Sequence, residues 1–130
     1  MKRTLHGRCD CGAVAFTVTG ARDSVTACHC GQCRRTSGHY WAATNAPMEN
    51  LVFSRNDGLK WYTSSTWAKR GFCGECGSSL FYRMFDEEGI GIAAGCLEGV
   101  TGLRVSKHIF CADKGDYYDI ADGVPQIEKF

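Results

Sequence analysis

Cys28-His29-Cys30-Gly31-Gln32-Cys33 sets three thiols at i, i+2 and i+5 within six residues. A thiolate is a strong, soft ligand, and this spacing lets three of them converge on one borderline-soft ion, most readily Zn²⁺. Three ligands are one short of a closed tetrahedron. A structural zinc site is normally filled by four protein ligands, whereas a catalytic one keeps a position for water or substrate. Cys28, Cys30 and Cys33 therefore read as an open metal site, or as a closed one if a distant donor completes it. His6, His29, His39, His108, Cys96 and Cys111 are the unassigned candidates for that fourth position.

Outward from this run lie two further pairs, Cys9-Asp10-Cys11-Gly12 and Cys73-Gly74-Glu75-Cys76-Gly77. Residues i and i+2 of an extended segment face the same side, so Cys9 and Cys11 can grip one ion together. Cys73 and Cys76, followed by Gly77, have the form of a zinc knuckle. The four thiolates make a set complete in itself, expected to be structural, that ties the first strand to a segment about 60 residues later. A redox-active Cys-x-x-Cys would need a thioredoxin-like βαβ setting, which this chain does not display. Cys96 and Cys111 read as small buried apolar residues. Cys96 keeps a second reading, as a pocket-lining residue or the missing ligand of the trio.

Nine cysteines among 130 residues signal cross-linking that supplements a modest core, and the length fits one domain over residues 1–130. The odd count, and pairs too close to bridge without strain, argue against a disulfide scaffold. Behind Met1-Lys2-Arg3 there is no apolar run of signal-peptide length, so a reduced, cytoplasmic, metal-binding protein is expected. Net charge is +1, and the only local basic clusters are Arg34-Arg35 and Lys69-Arg70, which disfavours a nucleic-acid partner. No apolar segment approaches the length that spans a bilayer, so no membrane partner is expected.

Along the chain, Val14, Phe16 and Val18 alternate within a segment that ends at Gly20, the pattern of a half-buried strand. Residues 25–28, 40–44, 51–54, 59–63, 79–85, 90–94 and 105–110 read as further strands. Asn56-Asp57-Gly58 is a strong turn signal and predicts a hairpin joining 51–54 to 59–63. Residues 34–38 read as a turn or one short helical turn closed by Gly38. No window sustains a 3.6-residue period, so the expected fold is mainly β, a small zinc-stapled sandwich or tent of short antiparallel strands.

Taken together, His6-Gly7-Arg8-Cys9-x-Cys11-Gly12, Cys28-His29-Cys30-x-x-Cys33-Arg34 and Phe72-Cys73-x-x-Cys76-Gly77-Ser78 resemble the glutathione-dependent formaldehyde-activating enzyme family, which has a eukaryotic relative in centromere protein V. The resemblance continues through Ala94-Gly95-x-Leu97, His108-Ile109-Phe110, Asp116-Tyr117-Tyr118-Asp119 and Gly123-Val124-Pro125-Gln126. It implies a β-tent fold, a structural zinc on Cys9, Cys11, Cys73 and Cys76, and a catalytic zinc on Cys28, Cys30 and Cys33. The implied reaction adds the thiol of glutathione to formaldehyde, giving S-hydroxymethylglutathione; its reverse is a carbon–sulfur lyase reaction.

The residues suit that chemistry. Three thiolates leave a divalent ion at net −1, a weak polariser of carbonyls but a good acceptor of another soft sulfur, whose pKa it would lower. Arg34, Arg35, Lys69 and Arg70 are candidate partners for the carboxylates of glutathione, or compensators of the thiolate charge. His29, between two ligands that face the other way, reads as a packing or supporting residue rather than a proton acceptor. Trp41, Trp61 and Trp67 read as core. The reading from a different class is a zinc-stabilised β interaction module without catalysis, which a closed tetrahedron at the trio would favour.

Overall fold

The computed structural model describes residues 3–130. Strands β1 (Thr4–Arg8), β2 (Ala15–Thr19) and β5 (Leu51–Arg55) form a three-stranded antiparallel sheet in the order β1-β2-β5. The second sheet has seven strands. From one edge to the other these are β10 (Arg104–Ile109), β3 (Ser24–Cys28), β4 (Trp41–Pro47), β9 (Gly89–Ala93), β8 (Ser79–Met84), β7 (Ala68–Cys73) and β6 (Leu59–Thr63). The mainly β sandwich expected from the alternation is what forms. Among the described strands β10 against β3 is the one parallel pair, which makes the larger sheet mixed.

Alternation decides what goes inside. Phe16 and Val18 of β2 point into the sandwich, and the opposite sheet answers with Leu80, Phe81, Ile90 and Ile92, all buried. Phe16 packs against Phe81 at 5.2 Å between ring centroids, and Phe53 meets Phe81 edge-on at 5.8 Å. The two fully buried rings, Phe16 and Phe81, each contribute about 1.5–3 kcal/mol. A second, smaller cluster of Cys33, Trp41 and Ala93 lies against Cys28, Cys30, Tyr82 and Cys96.

The Asn56-Asp57-Gly58 turn forms, with the Leu59 amide donating to the Asn56 carbonyl at 3.1 Å, but the predicted hairpin does not. Its two strands enter different sheets, β5 pairing with β2 and β6 with β7. The reason lies in the turn's backbone. Gly58 N–H donates to the Ala13 carbonyl and its own carbonyl accepts from Gly74, so the turn is anchored to two other segments.

The polar stretch after Cys30 is more helical than expected. Helix α1 runs Gly31–Ser37, with Cys30 as its N-cap, and ends at Gly38, whose φ of 86° lets its N–H donate to the Arg34 carbonyl. No helix among the described residues is long and apolar enough to cross a membrane.

Candidate metal centres and a neighbouring cavity

β1 delivers Cys9, and the following tight turn delivers Cys11, while β7 ends on Cys73 and a turn carries the chain to Cys76. Gly77, at φ 84°, gives that turn its left-handed step and returns its amide to the Cys73 carbonyl at 2.8 Å. The four sulfurs lie within 4.8 Å of one another. Cys11 stands 3.8 Å from both Cys9 and Cys73. A tetrahedron with metal–sulfur bonds of about 2.3 Å has edges of about 3.8 Å, so the spacing matches a metal cage and is far too long for a disulfide.

Polar groups around the quartet stabilise thiolates. Val14 N–H donates to Cys9 Sγ at 3.2 Å, and the Ser78 hydroxyl, 3.2 Å from Cys76 Sγ, brings that thiol down to about 5. Ser78 Oγ also accepts the Asp10 amide, locking the two ligand segments to each other.

Cys28, at the end of β3, Cys30, the cap of α1, and Cys33, on its first turn, form the second cluster, again within 4.8 Å. The geometry follows from capping. Cys30 Sγ accepts the Cys33 amide at 3.3 Å, which folds the third sulfur back toward the first two. Left to themselves, these thiols share protons unequally. Hydrogen bonds from Cys28 and Cys33 pull Cys30 down to about 2, and the same contact pushes Cys28 up. A cation is what allows all three to ionise together.

No other cysteine, histidine, aspartate or glutamate among the described residues joins the trio within that distance. Cys96, the strongest rival for the fourth position, donates its S–H to the Ala93 carbonyl at 3.0 Å. Burial pushes its thiol up to about 12, so it stays protonated near neutrality. His29 is fully buried and turned the other way. Its Nε2 meets Nδ1 of His108 at 2.9 Å, and its Nδ1 meets the Tyr118 hydroxyl. Burial, and then the neighbouring His108, hold its pKa down at about 4. His108 Nε2 continues the chain to the Asp122 carboxylate at 2.8 Å.

Of the four basic candidates only Arg70 touches a ligand, donating from Nη2 to Cys33 Sγ at 3.5 Å. Lys69 instead stands over the Trp61 ring. Trp41 is buried, and its indole N–H donates to Ser79 Oγ at 3.1 Å; Trp67 is exposed rather than part of the core. Tyr118 and Asp122 were given no role by their sequence positions, since nothing local marks a residue whose partner is 89 positions away.

A cavity of about 490 Å³ lies beside the quartet and reaches residues that pack against the trio, though none of Cys28, Cys30 and Cys33 lines it. Cys9 and Ser78 border it on the quartet's side, Ala93 and Cys96 on the trio's side, with Arg8 and Glu98 paired at 2.6 Å nearby.

The model of the glutathione-dependent formaldehyde-activating enzyme family matches residues 4–113. This chain belongs to that family. It is similar to an uncharacterized lyase of Schizosaccharomyces pombe, 27% identical over 118 residues, spanning 90% of this chain and 85% of the relative. It is also similar to a crystallographically solved Rhodobacter sphaeroides protein, a structural-genomics target, at 29% identity and a TM-score of 0.62, covering 97% of this chain and 99% of that one. Family membership and a lyase-named relative support a formaldehyde-activating, lyase-type function, and the two cysteine clusters could hold metal ions.

Proposed function

We propose that this protein is a zinc-dependent carbon–sulfur lyase of the cytoplasm. It would join the thiol of glutathione, or a related thiol, to formaldehyde or a related small aldehyde, and run the reverse cleavage. Cys28, Cys30 and Cys33 would hold the catalytic ion, and Cys9, Cys11, Cys73 and Cys76 the structural one. The observation that carries this reading is the three-sulfur cluster: no fourth side-chain ligand among the described residues joins it, and Ala93 and Cys96, which pack against it, border the cavity.

When bound, a zinc ion with three thiolate ligands supplies a soft acceptor that favours ionisation of an incoming thiol near neutral pH. The chain's own residues do the rest. Cys30 as helix cap fixes the relative positions of the sulfurs. Arg70 offsets the net negative charge of a three-thiolate site, which supports the compensating role for that residue over a carboxylate contact. Trp41 and Tyr82 wall the cluster against bulk water. The cavity, which reaches the trio's neighbours Ala93 and Cys96, would give thiol and aldehyde an approach to the cluster, where orientation counts most.

The test is NMR exchange spectroscopy on glutathione, formaldehyde and the purified zinc-loaded protein, with a protein-free control. Faster exchange into S-hydroxymethylglutathione, abolished by Cys30→Ser, supports the reading. An exchange rate equal to the control leaves a zinc-stapled module without this activity.

A further inference from the structure

Arg70 lies in the middle of β7 with only 6% of its surface exposed. Its Nε donates to Gln32 Oε1 at 3.0 Å and its Nη2 to Cys33 Sγ at 3.5 Å. The guanidinium lies 4.8 Å from the Tyr82 ring and 5.9 Å from the Trp41 ring. The third nitrogen, Nη1, is buried and has no hydrogen-bond partner among the described residues. Leaving such a donor unpaired costs about 1–3 kcal/mol, and more for a charged group.

We infer that Arg70 is a catalytic residue, whose Nη1 donates to the oxygen of the small aldehyde as that oxygen becomes an oxyanion. This rests on the reading of the trio as the site where the thiol is held. A guanidinium is a rigid planar fork, so anchoring Nε and Nη2 fixes Nη1 within a few ångström of the Cys33 sulfur. An acceptor that reaches it must stand close to the trio, where the incoming thiol would be held. The oxygen of a hydroxymethyl thioether is two bonds from sulfur, whereas the carboxylates of glutathione sit at the far ends of the tripeptide. The donor also supplies what a thiolate-rich ion does poorly, namely stabilisation of charge on oxygen.

The step balances without any other reactant. The thiolate electron pair forms the carbon–sulfur bond, and the carbonyl π pair moves onto oxygen, where Nη1–H stabilises it. That oxygen then takes a proton from solvent, replacing the one released when the thiol ionised. Cleavage is the same sequence reversed.

Two ligands of equal heavy-atom count separate recognition from turnover: glutathione equilibrated with excess formaldehyde, which carries S–CH₂–OH, and S-ethylglutathione, which carries S–CH₂–CH₃. Calorimetry on the zinc-loaded wild type should give at least ~10-fold tighter binding of the hydroxymethyl ligand. Arg70→Met should bind the two equally, with Arg70→Lys intermediate. Metal analysis should find wild-type zinc content in Arg70→Lys, and its exchange rate should fall ~100-fold with glutathione affinity unchanged. Equal binding of the two ligands by the wild type, or a preference that survives in Arg70→Met, overturns the assignment. So does a fall in zinc content or glutathione affinity that accounts for the whole rate loss in Arg70→Lys. A wild type that does not accelerate exchange sinks the lyase reading alone, and the paired binding constants still decide for or against Arg70.

Discussion

His29 Nε2 stands 2.9 Å from His108 Nδ1, so the residue between two sulfur ligands is held by a strand that lies 79 positions further along the chain. When both rings are neutral, hydrogen bonding runs one way. Tyr118 O–H donates to His29, His29 to His108, and His108 to the acceptor-only Asp122 carboxylate. Removing the first donor leaves a buried acceptor unpaired. Tyr118→Phe should therefore lose about 1–3 kcal/mol of stability, read as a lower midpoint in urea at unchanged slope.

Asp122 gives the same chain a pH signature. The His108 N–H holds its carboxyl below the usual carboxylate range. A lowered carboxyl pKa contributes stability that is fully present above the unfolded value, near 3.9, and is lost as pH falls through the folded value. Melting curves of wild type and Asp122→Asn, taken from about pH 6 down to about pH 2.5, should show the wild type ahead at the upper end and the gap closing on acidification. A gap that does not change with pH contradicts this origin.

The two sulfur clusters should part company on metal removal. Zinc in a complete thiolate cage contributes about 10–16 kcal/mol of folding free energy, comparable with or above the whole stability of an ordinary domain. Cys73→Ser should accordingly fail to fold or melt far below wild type. Cys30→Ser should keep the far-UV spectrum and lose one equivalent of zinc. Mild chelation of the wild type should strip that same equivalent first, followed by metal analysis and circular dichroism.

Gly58 is a steric prediction. A Cβ there would sit 2.6 Å from the Ala13 Cβ and 3.0 Å from Cys73 Sγ. Gly58→Ala must push both the turn and a ligand of the quartet, at about 1–3 kcal/mol. Competition with a colorimetric chelator should show weaker retention of the ion proposed for the quartet in the variant.

Eight of the ten strands were legible because their inward residues are large and alternate, as Phe16 and Val18 do. β1 and β7 were not. In β1 the inward positions are Leu5 and Gly7, and Gly7 is there because a Cβ would fall 2.3 Å from the Phe16 ring. In β7 the buried positions include Arg70 and Gly71, on opposite faces, which carry no hydrophobic signal. The sulfur spacings were local and could be read directly. The parallel partner of β3, the separation of β5 from β6 and the free arm of Arg70 depend on residues far apart in the chain, which no window of sequence contains.

The parallel pairing of β10 with β3 has one more consequence, for the order in which the protein matures. A ribosome exposes Cys9, Cys11, Cys73 and Cys76, together with β1, β2 and β5 through β7, well before residues 104–122 emerge. The first cage can close on a nascent chain. The strand carrying Cys28 waits longer for its outer neighbour and for His108, Tyr118 and Asp122. A translation arrest late enough for Cys76 to have left the exit tunnel, but with residues 104–122 still inside it, should therefore give a tethered chain that already resists protease around its first cage but has not yet built the second.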